Sequence, residues 1–81
     1  MDTLLSHLQP GEIGQVVAFR IGASPLRRRL LALGLLPGTV IEVKSRAPLG
    51  DPIEVRVRQT SLALCRHEAA ALAIHRMAEA Q

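Results

Sequence analysis

The side chains that could carry out catalysis or bind a metal are few and scattered. The imidazoles are His7, His67 and His75, and the one thiol is Cys65. Acyl transfer or hydrolysis needs a nucleophile, a base and an orienting group together, and no motif surrounds any of these residues. The seven acidic residues stand singly, without a pair spaced for general acid–base catalysis. We therefore predict that the protein is not an enzyme.

A weak metal-binding pattern surrounds the cysteine. Cys65 and His67 are two residues apart, so an extended chain would turn both to one side, with His75 within reach on a neighbouring strand. Structural zinc takes about four ligands at a recognisable spacing, so ordinary surface histidines explain the pattern better. We expect no required cofactor. Weak adventitious binding of Fe²⁺ or Zn²⁺ at His67 and Glu68, bridging two copies in a metal-mediated homodimer, is the weaker alternative.

A short helix carries the most informative chemistry. Ser24 can accept hydrogen bonds from the free N–H groups at a helix start, and Pro25 suits the first helical position. Gly34 can adopt the positive φ that commonly follows a helix end. We therefore predict a helix over residues 25–33.

The predicted helix has an apolar stripe and a basic face. At about 100° per residue, Leu31 falls away from the stripe and close to the direction of Arg27. Leu31 could pack under the following turn, or it could form an exposed patch with Arg27 and Arg28, in which leucine supplies area and arginine pairs with carboxylates. The sequence leaves these two interpretations even. The stripe, which should face the core, contains Leu26, Leu30 and Leu33.

Alternating apolar residues predict short antiparallel strands along the rest of the chain. Pro, Gly and polar residues separate consecutive runs, as in hairpins. About five such strands and one short inserted α-helix predict a small, mainly β barrel whose sheet closes on itself to hide its edges. The runs are 14–21, with Val17, Phe19 and Ile21 inward; 39–46, with Ile41 and Val43 inward; 53–58, with Ile53, Val55 and Val57 inward; 61–65, with Leu62 and Leu64 inward; and a closing strand at 71–74.

Length and composition fit one small domain. The chain has 81 residues, of which 48% are hydrophobic and 1% aromatic, so aliphatic side chains must form the core. No apolar stretch approaches the roughly 20 residues of a membrane span, and the N-terminus lacks the features of a secretory signal. The lone cysteine suits a reducing compartment, so we expect a cytoplasmic protein. The domain should cover residues 1–75, with a flexible tail at 76–81.

The chain is mildly basic, with a formal net charge of +3. Such a charge favours an acidic protein surface, anionic lipid or nucleic acid as partner. Arg56 and Arg58 alternate along one predicted strand and could line a nucleic-acid-binding face. Single-strand binders, however, use aromatic stacking platforms, and Phe19 is the one aromatic residue of the chain. A small basic nucleic-acid-binding barrel is therefore the alternative to a protein-interaction module.

Several segments of the chain have a distinctive order and spacing. Residues 26–39 combine the arginine-rich helix with a Gly-Leu-x-Pro-Gly turn, residues 48–52 read Pro-Leu-Gly-Asp-Pro, and residues 62–64 read Leu-Ala-Leu. An early Leu-x-Pro-Gly-Glu run at 8–12 fits the same arrangement. In this order the segments resemble the FeoA family of bacterial ferrous iron transport.

The resemblance implies an SH3-like β-barrel with an inserted helix, a cytoplasmic location and a role beside FeoB, the membrane ferrous iron permease with a cytosolic G domain. The same fold occurs as the C-terminal domain of iron-dependent repressors of the DtxR type. A domain of this kind would act as a protein-interaction module on the transporter, without nucleic acid binding or membrane insertion. The candidate contacts are Arg27, Arg28 and Leu31 on the helix, with Leu49, Gly50 and Asp51 in a hairpin loop.

Overall fold

A computed structural model describes residues 2–49 and 51–77 of the chain. Within them, six strands and two short α-helices alternate with tight turns, and a 3-10 helix at Leu5–His7 follows the first strand. The strands are β1 (Asp2–Leu4), β2 (Ile13–Phe19), β3 (Val40–Arg46), β4 (Ile53–Val57), β5 (Thr60–Leu64) and β6 (Leu72–Arg76), and the helices are α1 (Pro25–Ala32) and α2 (Arg66–Ala69).

The strands form one antiparallel sheet in the order β1-β6-β2-β3-β4-β5. The predicted mainly β fold with an inserted helix is confirmed, although the described residues form six strands rather than about five. The predicted closure is wrong, because the hydrogen-bonded order ends at β1 and β5 instead of joining them. The short first strand, 2–4, pairs with β6, which therefore lies inside the sheet and does not close it.

The core lies against one face of β3, β4 and β5. The alternation predicted for β3 and β4 is confirmed, since every residue assigned inward there is buried. In β5, Leu64 is buried and Leu62 packs against the core while partly exposed. Burial of these aliphatic side chains supplies most of the stabilisation, because Phe19 is the one Phe, Tyr or Trp residue of the chain. The inward residues of β3 and β4 are Ile41, Val43, Ile53, Val55 and Val57.

The prediction that Val17 of β2 faces the core is wrong, because its neighbour Val16 takes that position. Val16 is buried, whereas Val17 is 43% exposed. The pairing of β2 with β6 shifts between Val16 and Ala18, which marks a β-bulge. A bulge adds one residue to a strand and reverses the alternation beyond it. Phe19 accordingly returns to the core side, where it is partly buried as predicted.

The last strand extends past the predicted domain boundary. Arg76 belongs to β6 and pairs with Gly14 of β2, and its Nε lies 2.9 Å from Oε2 of Glu12. The backbone N–H of Met77 also donates to the carbonyl of Ile13 at 2.7 Å. Residues 76 and 77 of the predicted tail thus pair with β2, and residues 78–81 lie outside the described residues. No helix in the described part of the chain has the length and apolar character needed to cross a bilayer.

Candidate protein-interaction surface

The start of α1 is fixed by Ser24 and Pro25, the two residues predicted to begin the helix. Ser24 has extended backbone dihedrals, and its Oγ accepts a hydrogen bond from the N–H of Arg27 at 3.1 Å. Pro25 occupies the first helical position, where its missing N–H costs nothing. A serine cap of this kind is worth about 1 kcal/mol. The first turn, with its arginines, is therefore held in one place.

The end of α1 is fixed by a Schellman motif. The N–H of Gly34 donates to the carbonyl of Leu31 at 3.0 Å, and the N–H of Leu35 donates to the carbonyl of Leu30 at 3.1 Å. Gly34 has φ +89°, which glycine reaches without a steric penalty. Leu30 and Leu35 are both fully buried, and a hydrophobic contact between these two positions usually accompanies the motif.

The apolar stripe of α1 packs on the core as predicted. Leu30 is fully buried, and Leu26 and Leu33 pack against the core cluster while partly exposed. With this stripe fixed inward, Arg28 is exposed on the opposite side of the helix. The helix therefore presents a fixed outer surface.

An open pocket of about 430 Å³ lies along this outer surface, and we call it the helix pocket. Leu31 is half-buried in its wall and does not belong to the core cluster. Arg28 is exposed and forms no ion pair with residues 2–49 or 51–77. The pocket thus places Leu31 beside Arg27 and Arg28, and both interpretations of this half-buried side chain stay open. The pocket is lined by Ala23, Ser24, Pro25, Arg27, Arg28 and Leu31.

Arg27 is less exposed than Arg28 and packs against an aromatic ring. The carbon at the centre of its guanidinium lies 5.3 Å from the centroid of the Phe19 ring, a cation–π distance. Its Nε is buried and has no hydrogen-bond acceptor within the described residues. A buried donor without an acceptor is costly. Arg27 thus lies in the pocket wall against Phe19, whereas Arg28, also in the lining, has no ion-pair partner among the described residues.

The predicted hairpin contacts differ in what they offer a partner. Leu49 is 87% exposed, the most exposed large hydrophobic side chain of the described residues. Asp51 is instead engaged within the chain, because its Oδ1 accepts the backbone N–H of Arg66 at 3.0 Å, at the start of α2. Gly50 lies outside the described residues. Leu49 therefore remains a candidate contact, whereas one oxygen of the Asp51 carboxylate is already bonded within the chain.

The four metal-binding candidates do not form a site. Cys65 caps α2, His67 is exposed on that helix, and Nδ1 of His75 lies 3.6 Å from Oδ1 of Asp2 on the neighbouring strand. Within residues 2–49 and 51–77, no three His, Cys, Asp or Glu side chains are grouped closely enough to hold a metal. A structural zinc needs about four ligands, so these residues do not fit one.

Glu68 has a structural role that sequence reasoning missed. Its Oε2 accepts the Nε–H of Arg29 at 2.6 Å, and its Oε1 accepts the backbone N–H of Cys65 at 3.0 Å. Burial alone would raise the pKa of Glu68, but the hydrogen bonds from Cys65 and Arg29 outweigh it, so the pKa lies below its ordinary value. The carboxylate thus joins α1 to α2.

This ion pair predicts a pH-dependent stability. Because the folded pKa of Glu68 is lowered, the contribution is complete above the ordinary value of 4.5 and is lost as the pH falls through the folded pKa. Glu68→Gln should lower the free energy of unfolding near neutral pH by about 1–2 kcal/mol. This value is kept small because the Arg29 side chain is 60% exposed and water screens its attraction to the carboxylate. Urea denaturation should show this difference shrinking towards pH 3. A difference independent of pH would contradict it.

Comparison with known proteins identifies the chain. The FeoA domain model matches residues 3–76. The chain belongs to the FeoA family. A curated relative, the Fe(2+) transport protein A/Fe(2+) transporter FeoB fusion protein of Porphyromonas gingivalis, is 35% identical over 71 residues, which are 86% of this chain and 8% of that protein. This FeoA-family domain therefore corresponds to a small part of the fusion protein.

Solved FeoA structures share the fold of this FeoA-family domain. FeoA of Chlorobium tepidum is 40% identical and superposes with a TM-score of 0.82, over 94% of this chain and 71% of that one. FeoA of Stenotrophomonas maltophilia, a prokaryotic SH3 domain protein solved with zinc, is 26% identical with a TM-score of 0.79, over 90% and 89% of the two chains. A manganese-dependent transcriptional repressor, 17% identical with a TM-score of 0.86 over 94% of this chain and 41% of the repressor, shares the fold alone. The predicted SH3-like class is thus confirmed.

Proposed function

We propose that this FeoA-family domain is a non-catalytic, cytoplasmic accessory of ferrous iron uptake that docks on the cytosolic part of a FeoB-type transporter. The observation that carries the proposal is the fusion relative, in which a FeoA sequence and a FeoB transporter share one polypeptide. A covalent link gives two modules a high effective concentration, which is useful only if they act together. Such an association requires a docking surface on the FeoA domain, with or without the covalent link.

The helix pocket is the surface that we propose for docking. It combines an aliphatic side chain, Leu31, with the charge of Arg28, which forms no ion pair within residues 2–49 and 51–77, on a helix fixed at both ends. A rigid surface binds with little loss of conformational entropy. Exposed aliphatic area contributes affinity, and the guanidinium can pair with a carboxylate of the partner. Leu49 at the hairpin tip is a second candidate contact.

The proposed role needs no resident cofactor, and iron enters it as the cargo of the transporter. Titration calorimetry with Fe²⁺ under anaerobic conditions, and with Zn²⁺, should show no binding tighter than high micromolar. Tighter binding that His67→Ala removes would restore the metal-bridged alternative at His67 and Glu68.

The direct test is a binding titration of the full chain with the purified cytosolic domain of the FeoB-type transporter. We expect a saturable one-to-one complex that weakens with added salt, because an exposed arginine contributes to it. Absence of a complex at several hundred micromolar partner would contradict docking on that domain. GTP hydrolysis by the transporter domain, measured with and without this chain, then shows whether docking changes the nucleotide cycle.

Leu31→Ser separates the binding role of this residue from a core role. Since Leu31 lies in the pocket wall outside the core cluster, the substitution should change the free energy of unfolding by less than about 1 kcal/mol. It should weaken the complex about fivefold or more, as the loss of an aliphatic contact near an interface centre does. Leu30→Ala is the matched control, expected to cost about 2–5 kcal/mol of stability. A comparable stability loss in both variants would place Leu31 in the core.

A further inference from the structure

A second and larger groove, of about 680 Å³, lies where the turn after α1 meets the outer face of β3 and β4, and we call it the outer groove. It shares no lining residue with the helix pocket. The side chains that define it are Ile13, Leu36, Val40, Glu42, Arg56 and Arg58.

The floor of the outer groove is aliphatic and accessible. Leu36 is 44% exposed and Val40 is 45% exposed. Val40 falls out of phase with the inward residues of β3, so the sheet turns it away from the core. Leu36 is fixed by the turn in which its carbonyl accepts the N–H of Thr39 at 3.0 Å. Adjacent exposed aliphatic side chains in a concave site are typical of an interaction surface.

The rim of the outer groove is positively charged. Arg56 and Arg58 are exposed, and neither forms an ion pair with the described residues. The carboxylate of Glu42, which also lines the groove, lies 3.7 Å from Nζ of Lys44 and is thereby partly neutralised. Glu42 is the cross-strand neighbour of Arg56, yet within the described residues neither guanidinium in the groove lies in an ion pair.

Arg58 occupies a backbone conformation that arginine rarely adopts. Its φ is +58°, in the left-handed region, within the two-residue turn that joins Val57 to Thr60. Glycine or asparagine would fit this position with less strain. Nη1 of Arg58 would lie 3.8 Å from a Cβ placed on Gly34, so the guanidinium is near the end of α1. Strain maintained at a charged surface residue suggests a binding role for that side chain.

We propose that the outer groove binds an acidic segment of a partner protein, extended in conformation, with aliphatic side chains alternating with carboxylates. The aliphatic side chains would contact Leu36 and Val40, and the carboxylates would pair with Arg56 and Arg58. A nucleic acid phosphate could pair with the arginines but would leave the aliphatic floor uncovered. That the groove binds such a segment is independent of the proposed function. Only the assignment of the segment to the FeoB-type transporter rests on that function.

The test uses the full chain labelled with ¹⁵N and an acetylated, amidated peptide of sequence Glu-Leu-Glu-Leu-Glu. We expect localised amide shifts at Gly38, Val40, Arg56 and Arg58 that decrease as salt is added. Two control peptides, Glu-Ser-Glu-Ser-Glu and Lys-Leu-Lys-Leu-Lys, should produce at least fivefold weaker shifts. Equal binding of the serine peptide, or no shift with the leucine peptide at several millimolar, would overturn the proposal. A short oligothymidylate that binds the same residues more tightly than the peptide would overturn it in favour of nucleic acid.

Variants at the rim test the role of the arginines. Arg58→Gly should raise the thermal midpoint by a few degrees, because it removes the left-handed strain, while weakening peptide binding at least threefold. Arg56→Gln should weaken peptide binding similarly, with Arg20→Gln, in a different pocket, as the control without effect. Tighter or unchanged binding of the peptide by Arg58→Gly would contradict the proposal.

The two proposals fail in different ways. If the transporter domain binds but the peptide does not, only the outer-groove inference fails. If the peptide binds but the transporter domain does not, the proposed function fails.

Discussion

Replacing Arg28 with glutamate is expected to weaken binding of the FeoB-type cytosolic domain by about tenfold or more. Arg28 lines the helix pocket and has no ion-pair partner among the described residues, so Arg28→Glu sets a negative charge against the acidic group that we expect on the partner. A tenfold loss corresponds to about 1.4 kcal/mol, which is modest for the reversal of a charge within an interface. Titration calorimetry at low and moderate salt measures the change.

Arg20→Glu is the matched control for this substitution. It makes the same change in net charge, but Arg20 is exposed in a different pocket, with Asp2 and His7. We expect binding to change by less than twofold. An equal loss in both variants would indicate a general effect of charge, and an unchanged affinity of Arg28→Glu would exclude the helix pocket as the docking surface.

Gly14→Ala is expected to lower the free energy of unfolding by about 1–3 kcal/mol, the usual cost of overpacking a core. A Cβ at Gly14 would overlap Cγ2 of Ile74, and it would lie 3.3 Å from Cδ1 of Leu8 and 3.4 Å from the carbonyl oxygen of His75. Ile74 is fully buried on the paired strand, so its methyl group cannot move without displacing the sheet. For a domain of this size, each kilocalorie lowers the thermal midpoint by about 4–8 °C.

Gly22→Ala provides the control for Gly14→Ala. A Cβ at Gly22 would meet no atom within 4 Å, and the backbone there is not left-handed. Stability should be unchanged or rise by about 0.4–1 kcal/mol, because alanine restricts the unfolded chain. An unchanged free energy of unfolding in Gly14→Ala would contradict the close packing of Gly14 against Ile74.

Features set by local sequence were predictable. The start and end of α1 follow from Ser24 and Gly34, because capping depends on residues a few positions apart. The inward faces of β3 and β4 follow from strict alternation. That Leu31 lies off the apolar stripe and near Arg27 follows from helical geometry, whereas the sequence left open whether Leu31 belongs to the core or to the surface.

Features set by contacts between distant residues were not predictable. The bulge that exposes Val17 depends on pairing with β6. Glu68 was grouped with metal ligands because nothing nearby in the sequence shows its bond to Arg29, which lies 39 residues away. The bond from the backbone N–H of Arg66 to the carboxylate of Asp51, 15 residues earlier, was likewise not foreseen, and the partner contact of Asp51 stays a prediction. Such assignments require the tertiary structure, since short polar side chains serve caps and binding sites equally well.

The most direct test of the account is a series of amide spectra of the ¹⁵N-labelled chain during addition of the FeoB-type cytosolic domain. We expect localised shifts at Arg28, Leu31 and Leu49, and at the outer groove when the added domain carries the acidic segment, with the inward residues of the core unchanged. Shifts confined to a different face would show that the domain docks through another surface. No shifts at several hundred micromolar partner would contradict the central claim that this FeoA-family domain binds the transporter through its cytosolic part.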